Sequence, residues 1–167
     1  MTTTETIPST ADFAAAPARF ETGNGMTLAG FQQRYSFENA SEIPALWARF
    51  GPLIDTVPAM VGTIAYGVVH EESEGSIDYL AGVEVSETDA LSSEYTTLAI
   101  PAQRYAVFAH PGHISTLCQT VDAAFSKWLP SSGFEATANP DFFERYGDGY
   151  DPETGTGDIE IWVPIRG

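Results

Sequence analysis

The order of elements repeats. A strand-like segment, a helix with a tryptophan on its apolar stripe, and two further strands occur twice along the chain, and this duplication constrains the fold more than any other feature. In the first half, residues 25–35 alternate loosely and carry aromatics, as a strand does. Asn39 or Ser41 then offers a helix N-cap, and Pro44 sits in a first turn where its missing N–H is harmless. Ile43, Trp47, Phe50 and Ile54 follow at helical spacing, and Gly51-Pro52 predicts the end or distortion of that helix. Residues 61–70 and 77–85 read as strands joined by the charged turn EESEGS, which makes them a hairpin.

The second half runs in the same order. Residues 95–109 form a long strand segment broken at Pro101. His110-Pro111-Gly112-His113 turns into a helix whose apolar face is Ile114, Leu117, Val121, Phe125 and Trp128, with Pro130 closing it. Residues 142–146 and 158–165 are short strands on either side of the Gly- and Asp-rich loop GDGYDPETGTG. The expected class is therefore α+β: two strand–helix–strand–strand modules, about 18–90 and 91–167, with antiparallel sheets edge to edge and helices on one side. A cleft at the seam between two such halves is a common place for a ligand.

Composition narrows the function classes. The chain of 167 residues is 43% hydrophobic and 12% aromatic, enough for one domain with a real core. Acidic residues outnumber basic ones 23 to 7, a formal net charge of -16. Such a surface repels phosphate, which argues against independent nucleic-acid binding, and it enriches cations. The first 17 residues are rich in Thr, Ser, Ala and Pro and lack the basic start and apolar stretch of a signal peptide, so they read as a flexible leader. With no run of eighteen apolar residues, no membrane helix is expected, and a cytoplasmic location is the simplest reading. The lone Cys118 excludes an intrachain disulfide and falls on the apolar stripe of the second helix, where it is expected to be a small buried hydrophobe.

Glu144 is the residue most able to carry chemistry. It lies in PDFFERY, and on a strand Phe142, Glu144 and Tyr146 share a face. A carboxylate buried among rings must find a partner or protonate. A cationic ligand is such a partner, with cation–π attraction of roughly 1–2 kcal/mol from the rings. A salt bridge to Arg145 or Arg104 is the structural alternative. Trp47, Tyr66, Tyr79 and Trp162 are further aromatics that either fill the core or line a cavity. His110 and His113 bracket a turn with no third metal ligand at a clear spacing, so they are expected to start a helix, and His70 is expected at the surface of a strand end. The Gly/Asp loop lacks the ligand spacing and closing Glu of a calcium site. No phosphate loop, dinucleotide fingerprint or nucleophile elbow is present, and no cofactor or metal is expected.

The stretches IPALWARF, YGV with DYLAGVEV, IPAQRYAVFAHPGHI, FSKWLPSSGFE, FFERY and IEIWVPI occur in an order and spacing that resemble the GyrI-like small-molecule-binding domain family, the effector-binding domain of AraC-type and MerR-type regulators. The resemblance covers residues 18–165. It implies two modules related by a pseudo-twofold axis and a central pocket for hydrophobic, often cationic, compounds. It also implies that the family's buried glutamate falls on Glu144, its final-strand aromatic on Trp162, its helix tryptophan on Trp47, and its hairpin tyrosines on Tyr66 and Tyr79. Tyr146 completes the expected ligand-binding set.

About twenty residues precede the domain, so no DNA-reading unit is expected in this chain. The leading expectation is a stand-alone binding protein for hydrophobic cations, monomeric or dimeric. One alternative is a hydrolase of strained or electrophilic small molecules that uses Glu144 as its catalytic base or nucleophile. Another is a gyrase-inhibitor-like interaction protein, or a partner of a separate regulator.

Overall fold

β-Branched and aromatic residues alternating over GTIAYGVV and IDYLAGVEV build the central hairpin, β3 (Met60–Ser73) and β4 (Ser76–Val85). Its turn is Glu74-Gly75, both at positive φ (50° and 81°), the backbone a tight two-residue hairpin demands. The computed structural model describes residues 16–36, 38–137 and 140–166, and the predicted leader lies almost wholly outside them.

The remaining strands are β1 (Arg19–Gly23), β2 (Met26–Ser36), β5 (Thr96–Ile100), β6 (Gln103–Ala109), β7 (Glu135–Ala136), β8 (Phe142–Tyr146) and β9 (Ile159–Arg166). Together the nine form one sheet in the order β1-β6-β9-β8-β3-β4-β2-β5, with β7 paired to β9 and every pairing antiparallel. The two modules are legible in that order. β2, β3 and β4 form one half, β6, β8 and β9 the other, and they join edge to edge at β3–β8 as expected.

The leading strands are exchanged. β1 precedes β2 but pairs with β6, and β5 precedes β6 but pairs with β2. Six strand intervals separate β1 from β2 in the sheet order, about 29 Å if the sheet were flat. Only Asn24 and Gly25 connect them, a span of at most roughly 11 Å. Pro101 and Ala102 impose the same restraint between β5 and β6. The sheet must therefore curl until its outer strands approach each other. Gly30 and Gly82 face each other across β2–β4, and a Cβ on Gly30 would collide with the Ala81 carbonyl oxygen, so this part of the curl accepts only glycine.

Both helices cover one face of the sheet. α1 (Ile43–Phe50) buries Leu46 and Phe50 against Ala29, Tyr79, Ala81 and Val83. α2 (Leu117–Asp122) runs through a π-helical segment (Ala123–Trp128) into α3 (Leu129–Ser132), packing Leu117 and Ala124 on Phe108, Ile161 and Val163. The opposite face holds a third cluster of Leu28, Val68, Leu80, Val107 and Phe143.

Several local expectations are corrected. Asn39 does not cap α1: its Oδ1 accepts from the Ser36 N–H (2.7 Å), and a 3₁₀ turn (Ala40–Glu42) intervenes, leaving Glu42 at the N-cap. Ser41 lies inside that turn. Gly51-Pro52 does distort the helix, converting it to a 3₁₀ segment (Gly51–Thr56). Pro130 does not end the second helix. It sits in the first turn of α3, and the stop is Gly133 at φ 84°. Cys118 is exposed rather than buried, because the inward stripe of α2 runs through Leu117 and Thr120 and turns Cys118 to solvent.

Candidate functional site

The alternation of FFERY sends its side chains to opposite faces. Phe142, Glu144 and Tyr146 project toward the helices, while Phe143 and Arg145 project to the other side. Glu144 lies opposite Gly67 in the β3–β8 pairing, at the seam between the modules. A side chain on Gly67 would occupy the space that Glu144 and Tyr79 share, since its Cβ would stand 2.5 Å from Glu144 Oε1 and closer still to the Tyr79 hydroxyl. Glycine at 67 is what lets two long side chains meet over the strand.

The polar cluster beneath α1 is a connected chain. Trp47 Nε1 donates to the Tyr79 hydroxyl (2.9 Å), and Tyr79 donates to Glu144 Oε1 (2.6 Å). The Tyr146 hydroxyl donates to the same oxygen (2.6 Å). Trp47 meets the edge of Tyr146 with centroids 5.5 Å apart, and Tyr150 packs on Tyr146 at 5.0 Å. Trp47 and Phe142 touch both helix-face core clusters, so the seam is closed by rings around one carboxylate. Among the described residues no donor reaches Oε2, and no lysine or arginine pairs with Glu144.

Both arginines considered as partners are engaged elsewhere. Arg145 approaches Glu160 on the other face (3.6 Å), and Arg104 lies over the rings of Phe20 (5.0 Å) and Phe134 (5.4 Å). Burial pushes the Glu144 carboxyl above its usual range, against the hydrogen bonds from Tyr146 and Tyr79, which favour the ionised form. Burial and the Glu144 charge drive Tyr79 and Tyr146 well above the ordinary phenol range, so both remain donors.

Of the six expected ligand-binding residues, the structure brings together Glu144, Trp47, Tyr79 and Tyr146. Tyr66 and Trp162 are on the far face. Tyr66 is one residue out of phase with Gly67, and Trp162 pairs with Phe143 rather than with Glu144. There they line a second feature, a cavity of about 340 Å³ under the two short links that close the curl. Tyr105, Phe143, Glu84 and Arg145 also stand in its wall. Beside it, Glu160 is clasped by Arg19 through both oxygens (2.7 and 3.1 Å) and by Trp162 Nε1 (3.0 Å). Burial raises the Glu160 carboxyl, but these hydrogen bonds and the charges of Arg19 and Arg145 outweigh it and hold the group below its usual range. Gly67, Glu160 and Arg19 carry no sequence signal of their own, because their roles depend on which strands pair.

The histidines have structural tasks. His110 is buried between Thr120 (2.6 Å) and the His113 carbonyl (2.8 Å), and His113 accepts from the Ser115 N–H (3.0 Å) at the start of the helical segment. His70 is half-buried beside Gln32 (2.8 Å) rather than exposed. The described residues contain no group of three or more His, Cys, Asp or Glu placed to hold a metal, and no helix long and apolar enough to cross a membrane.

Comparison with known proteins agrees with this architecture. The transcriptional regulator BrlR of Pseudomonas aeruginosa is 29% identical over 127 residues, covering 74% of this chain and 46% of BrlR, so the chain spans about half the length of that relative. The structure of SAV2435 bound to tetraphenylphosphonium superposes with a TM-score of 0.73 at 20% identity, covering 89% of this chain and 93% of that one. EcmrR in its DNA complex superposes with a TM-score of 0.64 at 14% identity over 89% of this chain and 56% of EcmrR. The likeness to these two structures is one of fold. The model of the GyrI-like small molecule binding domain matches residues 17–166, nearly the whole chain, and the protein belongs to that family.

Proposed function

We propose that this domain binds hydrophobic cations at the module seam, with Glu144 as the charged anchor and Trp47, Tyr79 and Tyr146 as the surrounding rings. One observation carries the reading: a half-buried carboxylate whose Oε1 takes two tyrosine hydroxyls while its Oε2 and its charge find no partner among the described residues. A charge partly withdrawn from water without a counter-charge is unfavourable unless a guest completes it. A compact hydrated cation gains little there, because it must shed its water. A cation with its charge spread over apolar groups sheds little and gains contact with the rings around Glu144. Tetraphenylphosphonium, the ligand held by SAV2435, has that chemistry. The acidic surface, net -16, draws such ions toward the protein from a distance.

The test is calorimetric titration with tetraphenylphosphonium. Glu144→Gln keeps the shape and an acceptor for the two tyrosines but removes the charge. It is expected to weaken binding at least about tenfold, or about 1.4 kcal/mol. A neutral analogue, tetraphenylmethane made soluble by a polar substituent, should bind the parent more weakly than the cation and should not distinguish parent from variant. Equal affinity of parent and variant for the cation would remove Glu144 from the site. The hydrolase alternative is tested with an epoxide-bearing aromatic probe: turnover by the parent that is lost in Glu144→Gln would favour it over binding alone.

A further inference from the structure

The geometry points to a second small-molecule site on the face away from the helices, one that takes a flat aromatic molecule with a cationic group at one end and an anionic group at the other. The cavity there, about 340 Å³, is lined by Asn24-Gly25 and Ile100-Pro101 together with residues of the sheet. Its volume falls at the lower end of the range for ligand pockets and suits a molecule of one or two rings.

Four rings form its wall. Phe143 and Trp162 stack at 5.4 Å with only 19° between their planes, and Tyr105 meets both edge-on at 5.3 Å. Tyr66 meets Phe143 edge-on at 5.5 Å. This is a rigid, preformed aromatic surface, since Tyr66, Tyr105 and Phe143 are buried in the core cluster of that face.

Two opposite charges lie on either side of Tyr66. Arg145 is its direct cross-strand neighbour in β8. On the other flank Gly82 is its neighbour in β4, and Glu84 is two residues farther along on the same face. The two groups stand on strands separated by β3, about 10 Å apart across the sheet. Both charges act on the Tyr66 hydroxyl, Arg145 lowering and Glu84 raising the pH at which it ionises.

Neither charge is saturated. Glu160 already receives two hydrogen bonds from Arg19 and one from Trp162, so the 3.6 Å approach of Arg145 is a long, secondary contact that leaves guanidinium N–H groups available. The half-buried Glu84 carboxylate makes no hydrogen bond or ion pair among the described residues. A simple cation would satisfy Glu84 but be repelled by Arg145, and a simple anion would meet the reverse. A ring carrying both charges at opposite ends satisfies each and lies against the aromatic wall. Because Arg145 and Glu84 project from the face opposite Glu144, this site stands or falls independently of the seam.

Ligand-observed NMR and calorimetry on the full chain test it with three probes of one ring size: para-aminomethylbenzoate, benzylamine and para-toluate. The doubly charged probe is expected to bind at least about fivefold more tightly than either singly charged one, the worth of a partly solvated ion pair. Arg145→Gln and Glu84→Gln should each remove that preference, while Glu144→Gln should leave it intact. Glu84→Gln alters an unpaired, half-exposed group, so its folding is secure even if Arg145→Gln disturbs β8. The inference is overturned if benzylamine or para-toluate binds as well as para-aminomethylbenzoate, if nothing binds at millimolar concentration, or if Glu144→Gln abolishes the preference while Glu84→Gln spares it.

Discussion

Gly67→Ala is the sharpest probe of the seam, because it adds one methyl group where the structure has no room. The new Cβ would lie 2.5 Å from Glu144 Oε1 and overlap the Tyr79 hydroxyl. Both atoms belong to the ends of side chains already tied together, so they must move apart. Overpacking of this kind costs about 1–3 kcal/mol. Separating Tyr79 from the Glu144 carboxylate loses a charge-assisted hydrogen bond worth about 1.5–3 kcal/mol, partly retained because Tyr146 still donates. The expected net loss is about 3 kcal/mol, or a fall in Tm of roughly 10 °C for a domain of this size. Urea denaturation followed by tryptophan fluorescence gives the free energy. Gly51→Ala is the control: no atom lies within 4 Å of its Cβ, its φ is -49°, and alanine there should be neutral or stabilise by up to about 1 kcal/mol. If Gly67→Ala stays within about 0.5 kcal/mol of the parent, the scale of ordinary surface substitutions, the close packing of Gly67, Tyr79 and Glu144 is wrong.

Acidity should separate the two carboxylates. Burial raises Glu144, so the folded state takes up a proton there before the unfolded chain does; stability from this group is present at low pH and is lost as pH rises through the folded value. Glu160 is lowered by Arg19, Trp162 and Arg145 against its burial, so its contribution is present above the ordinary carboxylate range and is lost as pH falls through its folded value. Denaturation curves against pH should therefore show Glu144→Gln abolishing a gain in stability on mild acidification. Over the same interval tetraphenylphosphonium affinity should fall as Glu144 protonates, while any binding of the neutral analogue stays flat. The exposed Cys118 should react with a maleimide in the native state at a rate close to that of the unfolded chain, with Tm unchanged within about 2 °C; protection of the thiol would put it back in the core.

What the sequence makes legible here follows the range of the interaction responsible. The β3–β4 hairpin, β8 and β9 are visible because alternation and turn chemistry are local. The duplicated order is visible because each half repeats it. β1 is not, because RFETG is a short edge strand that becomes one only by pairing with β6, more than eighty residues away. The phase of a helix also escapes a reading by stripe alone: the inward line through Leu117 and Thr120 leaves Cys118 outside. Glu144 and Tyr146 stand out from their surroundings in PDFFERY, whereas Tyr79 and Trp47 are singled out only by the family resemblance. Tyr66 and Trp162, expected beside Glu144, stand on the other face, because the faces of separate strands are matched by register and the partners of Glu144 are Gly67 and Ile161.

That register gives the strand FFERY a double role. Glu144 and Arg145 are consecutive, so the pleat delivers an anion to the helix face and a cation to the other from one short segment. Each charge meets rings from its own side: Trp47, Tyr79 and Tyr146 around Glu144, and Trp162 within 5.9 Å of Arg145. The two sides differ in how the charge is answered. Arg145 shares Glu160 with Arg19 and needs only part of a partner, whereas Glu144 has phenol donors and no counter-charge among the described residues. A guest that neutralises Glu144 therefore gains the larger share from its charge. A guest beside Arg145 gains only if it also serves Glu84. Inserting one residue between Phe142 and Glu144 would exchange the two faces beyond that point, so this register shift should abolish both proposed binding modes together while single substitutions remove them one at a time.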